Sequence, residues 1–371
     1  MDLTKLKRPV FVIDRAKVRR NAGRMAERAR RSGIILRPHV KTHQSAAIAG
    51  WLREFGVRAV TVSSVDMAAY FLGAGWTDVL ISVPVNVHQI PEIDELASAG
   101  TVHVIVESGR TAQALLEGAA HPLNIWIEVD AGYHRTGLPA DRHEAIVEVA
   151  RIVRRGDRHQ LRGLLCHDGQ TYAASSPGRV REIAAASITA LSSAVDALAK
   201  AGFPGLSLSV GDTPSCSMME GFPPPITEIR PGNFVFYDLT QSGIGACGEA
   251  DIAAAVACPV IAAHPERDEL VVYGGGVHIS KEAVRLAGGE ACYGKVCRLR
   301  SDGTGWGPPL AGAFVSSLSQ EQGIIRMPPL IGRTAGIGDT LIILPVHACL
   351  TANLHAAYYV IGEGWVDKFR S

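Results

Sequence analysis

The chain contains 371 residues, 47% of them hydrophobic and 20% charged, and its formal net charge is +1. This balance suits a globular protein with a large core and argues against nucleic acid or an anionic membrane surface as a partner. No apolar run reaches the length of a membrane span, the seven cysteines lack CxxC spacing, and no apolar region follows the lysines of residues 1–10. We therefore expect a cytoplasmic protein with reduced thiols.

The first notable element is a lysine that follows a short apolar run. Residues 33–36 are apolar, residues 37–43 read Arg-Pro-His-Val-Lys-Thr-His, and residues 44–55 have a helical pattern. Lys41 is thus expected at the mouth of a strand, in a partly desolvated cleft where an ammonium group loses its proton more easily. Such an amine can form an imine with a carbonyl cofactor such as pyridoxal phosphate (PLP). A solvated lysine at a strand end fits this segment equally well.

Residues 34–230 repeat one pattern, in which short apolar runs alternate with helix-periodic segments such as 141–154 and 178–201. We predict eight strands, at 34–37, 58–62, 78–82, 102–106, 123–129, 161–166, 205–210 and 227–230. Eight strand–helix units in a segment of this length are typical of a (β/α)8 barrel. A doubly wound open sheet has the same alternation and is the alternative.

Polar and glycine-rich residues follow most of these strands, where a barrel carries its chemistry. They are Lys41 after the first strand, Ser63 and Ser64 after the second, residues 130–137 after the fifth, 167–172 after the sixth, 211–214 after the seventh and 231–233 after the eighth. Because the carboxyl ends of barrel strands lie on one face, these loops are expected to converge there and form the functional site.

Two of these loops have the composition of a phosphate site. One turn contains Gly211 and Thr213, and the next contains Gly232 and Asn233. Backbone N–H groups of such turns, together with a threonine hydroxyl, can surround an anion. Each turn alone is equally consistent with an ordinary strand–helix connection, but their occurrence on neighbouring loops favours phosphate.

Three further side chains in these loops suit a pyridoxal ring. Arg135 could hold its phenolic oxygen or its ring nitrogen, and Tyr172 could reach a phosphate through its hydroxyl. His167 could stack on the ring face or transfer a proton near neutral pH. The alternatives are a salt-bridged surface arginine, a packed tyrosine and a histidine at a strand end.

Beyond about residue 240 the pattern changes to short strands separated by glycine and proline, at 269–273, 293–299, 312–317, 338–344 and 358–366. This predicts a second, β-rich domain. His347 and Cys349 follow the fourth of these strands, and an extended segment would place both side chains on one face. Imidazole and thiolate are the ligands that zinc prefers, and His278 and His355 are candidates for further ligands. A buried cysteine beside an unrelated histidine is the alternative.

Five motifs occur in order along the chain. They are Pro38-His39-Val40-Lys41-Thr42-His43, His167-x-Gly169-x-x-Tyr172, residues 209–214 (Ser-Val-Gly-Asp-Thr-Pro), residues 228–238 (Glu-Ile-Arg-Pro-Gly-Asn-Phe-Val-Phe-Tyr-Asp) and Pro345-Val346-His347-Ala348-Cys349. Together they resemble the D-threonine aldolase and D-serine dehydratase family of fold-type III PLP enzymes, over nearly the whole chain. The sequence departs from the family pattern at Cys166, at Asp212, and before Ser280, where an aspartate is usual.

The resemblance implies an alanine-racemase-type (β/α)8 barrel at residues 15–238 and a β-rich domain formed by residues 1–14 and 239–371. Lys41 would carry PLP, Arg135 would contact its ring oxygen, and these two residues with His167 are the candidate catalytic groups. The implied cofactor contacts are Lys41, Ser63, Arg135, His167, Tyr172, Gly211, Thr213, Gly232, Asn233 and Tyr237. His347 and Cys349 would bind a divalent metal, with zinc favoured over manganese or magnesium. A homodimer is also implied.

We therefore predict a PLP- and metal-dependent lyase that dehydrates a small D-3-hydroxy amino acid, such as D-serine or D-threonine, to a 2-keto acid and ammonia. The same groups could instead break the Cα–Cβ bond and give glycine and an aldehyde, as in a D-threonine aldolase. The remaining alternatives are an amino-acid racemase, a PLP-binding protein without turnover, and a metal-dependent hydrolase.

Overall fold

The computed structural model describes residues 1–328 and 335–370. Residues 23–232 form one compact unit, and residues 1–22 together with 233–370 form the other. In chain order, the elements up to the end of the first of these units are β1 (Val10–Ile13), α1 (Arg15–Arg31), β2 (Ile35–Leu36), α2 (Ala46–Leu52), β3 (Val60–Val62), α3 (Val65–Gly73), β4 (Asp78–Pro84), α4 (Ile90–Ala99), β5 (Thr101–Val106), α5 (Gly109–Gly118), β6 (Asn124–Asp130), β7 (Leu138–Pro139), α6 (His143–Arg154), β8 (Gln160–Leu165), α7 (Pro177–Lys200), β9 (Ser207–Val210), α8 (Thr213–Met218) and β10 (Ile226–Ile229).

The unit of residues 23–232 is a closed parallel barrel. Its strands lie in the order β2-β10-β9-β8-β6-β5-β4-β3, with the short β7 paired to β6. A parallel bridge between His39 and Thr61 joins the segment after β2 to β3 and closes the ring. All eight predicted strands are present, so the (β/α)8 prediction is confirmed and the open doubly wound sheet is excluded.

Serine side chains begin several of the barrel helices. Ser45, Ser64 and Ser108 each accept a hydrogen bond from the third N–H of the helix that follows, and Ser176 does the same for α7. Such a cap satisfies a donor that the helix leaves without a partner, and it is worth about 1 kcal/mol. The caps fix where each helix begins, immediately after the loop on the carboxyl side of a strand.

Helix α7 corrects the expectation that no apolar run reaches the length of a membrane span. By length and composition it could cross a membrane, although a single helix of this kind is weak evidence for a span. Its buried residues recur at helical spacing, at Val180, Ala184, Leu191, Ala194 and Leu198. The helix connects β8 to β9, so this apolar face is the one expected of a barrel helix that packs on its sheet.

The barrel interior contains a buried ionic network beside its apolar layer. The guanidinium of Arg37, only 3% exposed, pairs with Glu228 at 2.7 Å and also with Asp78. His103 Nδ1 accepts the indole N–H of Trp126 at 3.1 Å, so its Nε2–H is free to donate to Asp78 at 3.2 Å. The network therefore links β2, β4, β5, β6 and β10 across the barrel.

Replacement of Asp78 by asparagine tests this network through its pH dependence. Burial acts to raise the pKa of Asp78, but the hydrogen bonds from His103 and Arg37 outweigh it and lower the pKa from 3.8 to about 2. A lowered pKa stabilises the fold above pH 3.8, and this contribution is lost as the pH falls towards 2. After allowance for partial exposure, we expect the free energy of unfolding to fall by about 1–2 kcal/mol near neutral pH and by almost nothing at acid pH. Urea unfolding at both pH values measures this change, and the exposed Asp141→Asn is the control. An equal fall at both pH values would contradict this account.

The elements that follow the barrel are α9 (Leu239–Ile244), β11 (Ala254–His264), β12 (Glu269–Tyr273), α10 (Gly276–Ile279), β13 (Val284–Arg285), β14 (Ala291–Cys292), β15 (Gly294–Leu299), β16 (Trp306–Leu318), β17 (Gln322–Arg326), β18 (Thr340–Pro345), α11 (Ala348–Asn353), β19 (Ala357–Val360) and β20 (Gly364–Asp367). Their sheet has the order β12-β17-β16-β15-β18-β11-β1-β19-β20, and a further pairing of β11 with β12 closes an antiparallel barrel. The predicted β-rich region is confirmed.

Four strands of this unit were missed in the sequence. Strand β11 reads Ala-Ala-Val-Ala-Cys-Pro-Val-Ile-Ala-Ala-His, and its first seven residues are all buried. Alanine is a poor strand former, and a strand that is buried on both faces does not alternate between apolar and polar residues. Neither strand propensity nor alternation therefore indicated this strand. The short strands β13, β14 and β17 were not predicted either. The predicted strand 358–366 is two strands, β19 and β20, separated by a turn in which Gly362 has φ of +79°.

Candidate functional site

Lys41 lies in a single 3₁₀ turn, Val40–Thr42, directly after the first barrel strand. Its neighbours Val40 and Thr42 are fully buried, whereas Lys41 itself is exposed. The expected position at the strand mouth is therefore observed, but the partly desolvated surroundings are not. The buried neighbours hold the turn in place and Lys41 lies at its exposed position.

His39 fixes the turn that carries Lys41. Its Nδ1 accepts the backbone N–H of Lys41 at 3.4 Å, and its Nε2 lies 2.9 Å from Ser82 Oγ. Ser82 donates its own proton to the carbonyl of Val62, so it must accept from a protonated Nε2 of His39. Burial, and then the charge of Lys41, lower the pKa of His39 well below its ordinary value. The residue is thus a neutral positioning group, a role that its place in the lysine motif did not reveal.

His167 is also a neutral imidazole with a defined tautomer. Its Nδ1 donates to the carbonyl oxygen of Gly211 at 2.7 Å, which leaves Nε2 unprotonated. Burial lowers its pKa to about 3, with smaller contributions from Lys41 and Arg135. Of the two roles expected, proton transfer near neutral pH is therefore disfavoured, and contact through the ring face remains.

The predicted phosphate residues Tyr172 and Thr213 lie together. The Tyr172 hydroxyl accepts the backbone N–H of Thr213 at 3.2 Å, and Thr213 is fully buried. Among the described residues, the Thr213 hydroxyl has no hydrogen-bond partner. A buried hydroxyl without a partner costs about 1–3 kcal/mol, so this group is suited to a ligand that hydrogen-bonds to it. We refer to the turns at 211–213 and 230–232 as the cradle.

Glycine is required at two positions of the cradle because the backbone approaches closely. A Cβ atom on Gly211 would lie 2.6 Å from the backbone nitrogen of Arg230. A Cβ atom on Gly232 would lie 2.8 Å from the carbonyl oxygen of His39. Neither contact is sterically allowed, so both glycines keep the two turns against their neighbours.

Positive charges gather around the two neutral histidines. Lys41, Arg135 and Arg230 each contribute to lowering the pKa of both His39 and His167, after the larger effect of burial. The exposed Arg135 lies 5.1 Å above the ring of Tyr133, which meets His167 edge-on at 5.7 Å. Three cations around neutral imidazoles favour an anionic ligand.

Arg230 was missed as a site residue in the sequence. It is 5% exposed, and its guanidinium donates to Ser209 Oγ at 2.7 Å and to the carbonyl of Cys166. Only its position in the motif before Pro231 and Gly232 could have indicated it. The predicted contact Ser63 is half-buried after β3, where its hydroxyl meets the sulfur of Met67 at 3.9 Å.

The predicted metal ligands lie in the β-rich unit. His347 is the N-cap of α11, and Cys349 is in the first turn of that helix. The expected extended segment is therefore wrong, because the helix begins at Ala348. The imidazole of His347 nevertheless hydrogen-bonds to Cys349, so the two candidate ligands are in contact.

The surroundings of this pair favour a cation. Burial acts to lower the pKa of His347, but the hydrogen bond to Cys349 and the charges of Cys349, Asp238 and Glu282 raise it to about 9. The imidazole is thus held as a cation by its neighbours, and a metal would compete with its proton. The donor set of one imidazole and one thiolate fits zinc, with further positions left for water or substrate.

Two predicted cofactor residues also belong to this unit. The Asn233 amide donates to Asp238 at 2.6 Å and lies 3.6 Å from the sulfur of Cys349. Its side chain is therefore beside the candidate metal ligand Cys349, while its Oδ1 is buried and has no hydrogen-bond partner in the part of the chain that the structure describes. Tyr237 is 5% exposed and has φ of +51°, and its N–H donates to the carbonyl of Asn233.

The expected further ligands His278 and His355 have other partners. His355 Nε2 donates to the carbonyl of His278, whose Nδ1 accepts the N–H of Gly275. Within residues 1–328 and 335–370, no group of three or more His, Cys, Asp or Glu side chains could hold a metal. Protein ligation by His347 and Cys349 alone therefore remains the prediction.

Glu282 is expected to set the orientation of the candidate ligand His347. Its carboxylate lies 3.0 Å from His347 Nδ1, which leaves Nε2 for a metal. Glu282→Ala should weaken zinc binding by about 10–100-fold, as loss of such partners commonly does. Competition titration with a zinc-sensitive dye measures this, with Glu266→Ala as a control and Glu282→Gln expected to recover much of the affinity. Unchanged affinity in Glu282→Ala would exclude this role.

The parallel barrel belongs to the alanine racemase fold class. Residues 13–239 match the alanine racemase N-terminal domain, and residues 253–361 match the putative serine dehydratase domain. The chain belongs to the family of PLP enzymes that includes D-serine dehydratases and D-threonine aldolases. The resemblance seen in the motifs is thereby confirmed.

Several relatives match almost the whole chain. The chain is 32% identical to D-threo-3-hydroxyaspartate dehydratase of Delftia sp., over 97% of this chain and 95% of that enzyme. It is 28% identical to D-serine dehydratase of Schizosaccharomyces pombe, over 95% of this chain and 88% of the relative. It is 23% identical to D-threonine aldolase of Arthrobacter sp., over 98% of this chain and 92% of that enzyme.

The solved structure of the Delftia enzyme has the same fold. It superimposes with a TM-score of 0.90 at 30% identity, covering 100% of this chain and 99% of that one. Another solved structure is of a cysteine-to-alanine mutant of D-threo-3-hydroxyaspartate dehydratase in the metal-free form; its TM-score is 0.90 at 30% identity, covering 100% of this chain and 99% of that one.

Proposed function

We propose that this protein is a PLP-dependent lyase that dehydrates a D-3-hydroxy amino acid to a 2-keto acid and ammonia. The observation that carries the proposal is the pair of domain matches, together with two dehydratases among the relatives that match nearly the whole chain. The aldolase of Arthrobacter sp. is more distant, at 23% identity. Dehydration is therefore favoured over cleavage of the Cα–Cβ bond.

The cradle supports PLP as the cofactor. The phosphate would be held by the hydroxyls of Thr213 and Tyr172 and by the backbone around Gly211 and Gly232. When bound, PLP draws electrons from the α-carbon of an amino acid and so makes its proton acidic. The nearby cations suit the phosphate and the phenolic oxygen, and Arg135 remains our candidate for the latter.

Lys41 is proposed to hold the cofactor through its amine and to remove the α-proton of the substrate. Its turn is kept in place by His39, which stays neutral and so does not compete for that proton. His167 is proposed to pack against the ring face, since its Nδ1–H is committed to Gly211 and its Nε2 is a weak base. The exposed position of Lys41 leaves it accessible to an amino acid from solution.

A divalent metal on His347 and Cys349, with zinc as the favoured ion, is proposed to assist loss of the β-hydroxyl. Such an ion acts as a Lewis acid on an oxygen that leaves. Two findings support the proposal: the negative surroundings of His347, and the metal-free mutant of a D-threo-3-hydroxyaspartate dehydratase, in which a cysteine is replaced. Asp238 and Asn233 would keep Cys349 in position.

The product decides between dehydratase and aldolase. Protein loaded with PLP and zinc is incubated with D-threonine, D-serine or D-threo-3-hydroxyaspartate, with and without EDTA. We expect the 2-keto acid and ammonia, and we expect EDTA to suppress both. Glycine with an aldehyde would show an aldolase, and a D-to-L conversion would show a racemase. Absence of all these products from a PLP-loaded protein would contradict the proposal.

The homodimer and the cytoplasmic location remain predictions from the sequence. Light scattering of the purified protein tests the first, because a dimer has twice the mass of the 39.4 kDa chain. Fractionation of cells that produce the protein tests the second.

A further inference from the structure

Tyr133 lies in the loop between β6 and β7, next to two groups proposed to contact the pyridoxal ring. Its side chain is 39% exposed and meets the imidazole of His167 edge-on, with the ring centroids 5.7 Å apart. Its other neighbour is Arg135, whose guanidinium carbon lies 5.1 Å from the centroid of the Tyr133 ring. One partly exposed aromatic ring therefore links the candidate ring-face residue to the candidate ligand of the phenolic oxygen.

The ring of Tyr133 occupies the space that a side chain at position 169 would fill. A Cβ atom on Gly169 would lie 2.3, 2.4 and 2.6 Å from three ring carbons of Tyr133, which is closer than two carbon atoms can approach. Gly169 is buried at the start of the 3₁₀ turn Gly169–Ala173. Its φ is not in the left-handed region, so the backbone at this position does not itself require glycine. The absence of a side chain at 169 is therefore explained by the ring that packs there.

The backbone of the loop is held independently of the Tyr133 ring. Oδ1 of Asp130 accepts three successive backbone N–H groups, those of residues 132–134, at 2.8, 2.9 and 3.0 Å. Further along the loop, the hydroxyl of Thr136 donates to Oε1 of Glu128 at 3.0 Å. A change in the Tyr133 side chain should therefore leave the loop in place and act on the neighbouring side chains.

The side chain of Arg135 has few other restraints. It is exposed, and within residues 1–328 and 335–370 its guanidinium makes no hydrogen bond or salt bridge. A long arginine side chain without such partners samples many rotamers, whereas a cation over an aromatic face is restricted by attraction to the ring. The Tyr133 ring is thus the contact that directs the guanidinium of Arg135.

We propose that Tyr133, seated on Gly169 and against His167, is a positioning residue that holds Arg135 for the phenolic oxygen of the pyridoxal ring. The inference rests on the proposed PLP site and deepens it, because it assigns a residue that acts through Arg135. Attraction between a cation and an aromatic face at an exposed site corresponds to a factor of about two to five in an equilibrium constant. Loss of the ring should weaken, by about this factor, the part of the cofactor affinity that depends on the phenolic oxygen.

Two ligands separate this effect from general damage to the site. Pyridoxine 5′-phosphate has the ring, the phenolic oxygen and the phosphate of PLP but no aldehyde, so Lys41 does not react with it. 3-Deoxypyridoxine 5′-phosphate differs from it only in lacking the phenolic oxygen. Calorimetry on the full chain gives both dissociation constants, and their ratio measures what the phenolic oxygen contributes. Damage to the fold or to the cradle weakens both ligands and leaves this ratio unchanged.

We expect wild-type protein to bind pyridoxine 5′-phosphate at least about tenfold more tightly than the deoxy ligand, because the deoxy ligand loses a hydrogen bond to a charged group. Arg135→Ala should bring the ratio of the two dissociation constants close to one. Tyr133→Ala should lower the ratio about two- to fivefold, whereas Tyr133→Phe keeps the aromatic face and should keep the ratio.

Gly169→Ala tests the seat of the ring without altering Tyr133. The added methyl group displaces the ring, which can move because it is the end of a flexible side chain, so the ratio should fall as it does in Tyr133→Ala. In the Tyr133→Ala background the same methyl group meets no ring. The double variant should therefore have the ratio of Tyr133→Ala alone, which is the non-additivity expected of two changes that act through one contact.

Three results would overturn the inference while the PLP site stands. They are an unchanged ratio in Tyr133→Ala, an equal fall in Tyr133→Phe, and a ratio that does not depend on Arg135. A full further fall on adding Gly169→Ala to Tyr133→Ala would also contradict it, because Gly169 would then act without the ring. Failure of wild type to bind either pyridoxine 5′-phosphate or PLP overturns both proposals.

Discussion

Replacement of Lys41 by alanine is expected to abolish covalent attachment of PLP and to lower kcat/KM for dehydration by at least about 10³-fold. The same amine is proposed to hold the cofactor and to move the α-proton, and loss of such a proton-transfer group alone costs about 10²–10⁴-fold. The visible absorbance of the protein after dialysis measures attachment, and 2-keto acid formation measures turnover.

The control for this variant is Lys200→Ala, which removes an exposed lysine at the end of α7. It should keep both the absorbance and the activity. If Lys41→Ala keeps a dialysis-resistant absorbance, another lysine carries the cofactor and our assignment is wrong. A normal unfolding transition for both variants would show that the loss is chemical, as expected for an exposed side chain.

Replacement of Cys349 by alanine is expected to remove the bound zinc and to lower the rate of dehydration by about 10²–10³-fold, because Lewis-acid assistance to the leaving oxygen is worth several kcal/mol. Zinc content after gel filtration and the rate of keto acid formation measure the two effects. Cys349→Asp replaces a soft ligand by a hard one and should shift the preference towards manganese or magnesium.

Cys247→Ala is the matched control, since Cys247 is also a half-buried cysteine of the same unit. It should retain zinc and activity. Full dehydratase activity of Cys349→Ala in buffer treated with a chelator would show that the reaction needs no metal at this pair. Restoration of Cys349→Ala by a large excess of zinc would instead be consistent with weakened binding to His347 alone.

The sequence was sufficient for the barrel because its strands and helices follow the two expected periodicities. The predicted helix at 178–201 is α7 at Pro177–Lys200, and the predicted strand at 102–106 lies within β5. The strands of the β-rich unit were harder to predict, because β11 is alanine-rich and does not alternate between apolar and polar residues. Its closure by pairing with β12 involves contacts that no local pattern records.

The site was predictable in its composition but not in its protonation. Turn residues such as Gly211 and Thr213 stood out because glycine and hydroxyl residues after barrel strands are chemically distinctive. The neutral state of His167 depends on burial, and its tautomer depends on one carbonyl oxygen; the sequence shows neither. Arg230 was missed for the same reason: its burial and its contacts arise only after the sheet has closed.

The pairing of β1 has a consequence for synthesis on the ribosome. Val10 pairs with Ala257, and Val12 with both Ala255 and Tyr359, although the whole parallel barrel lies between them in the chain. An emerging chain therefore carries an apolar strand, fully buried in the folded protein, whose first partner is translated only after the whole parallel barrel. Pairing over such separations is slow, and an unpaired strand edge invites association between nascent chains. Expression at lower temperature or with added chaperone should therefore raise the yield of folded protein more than stabilising changes within the parallel barrel.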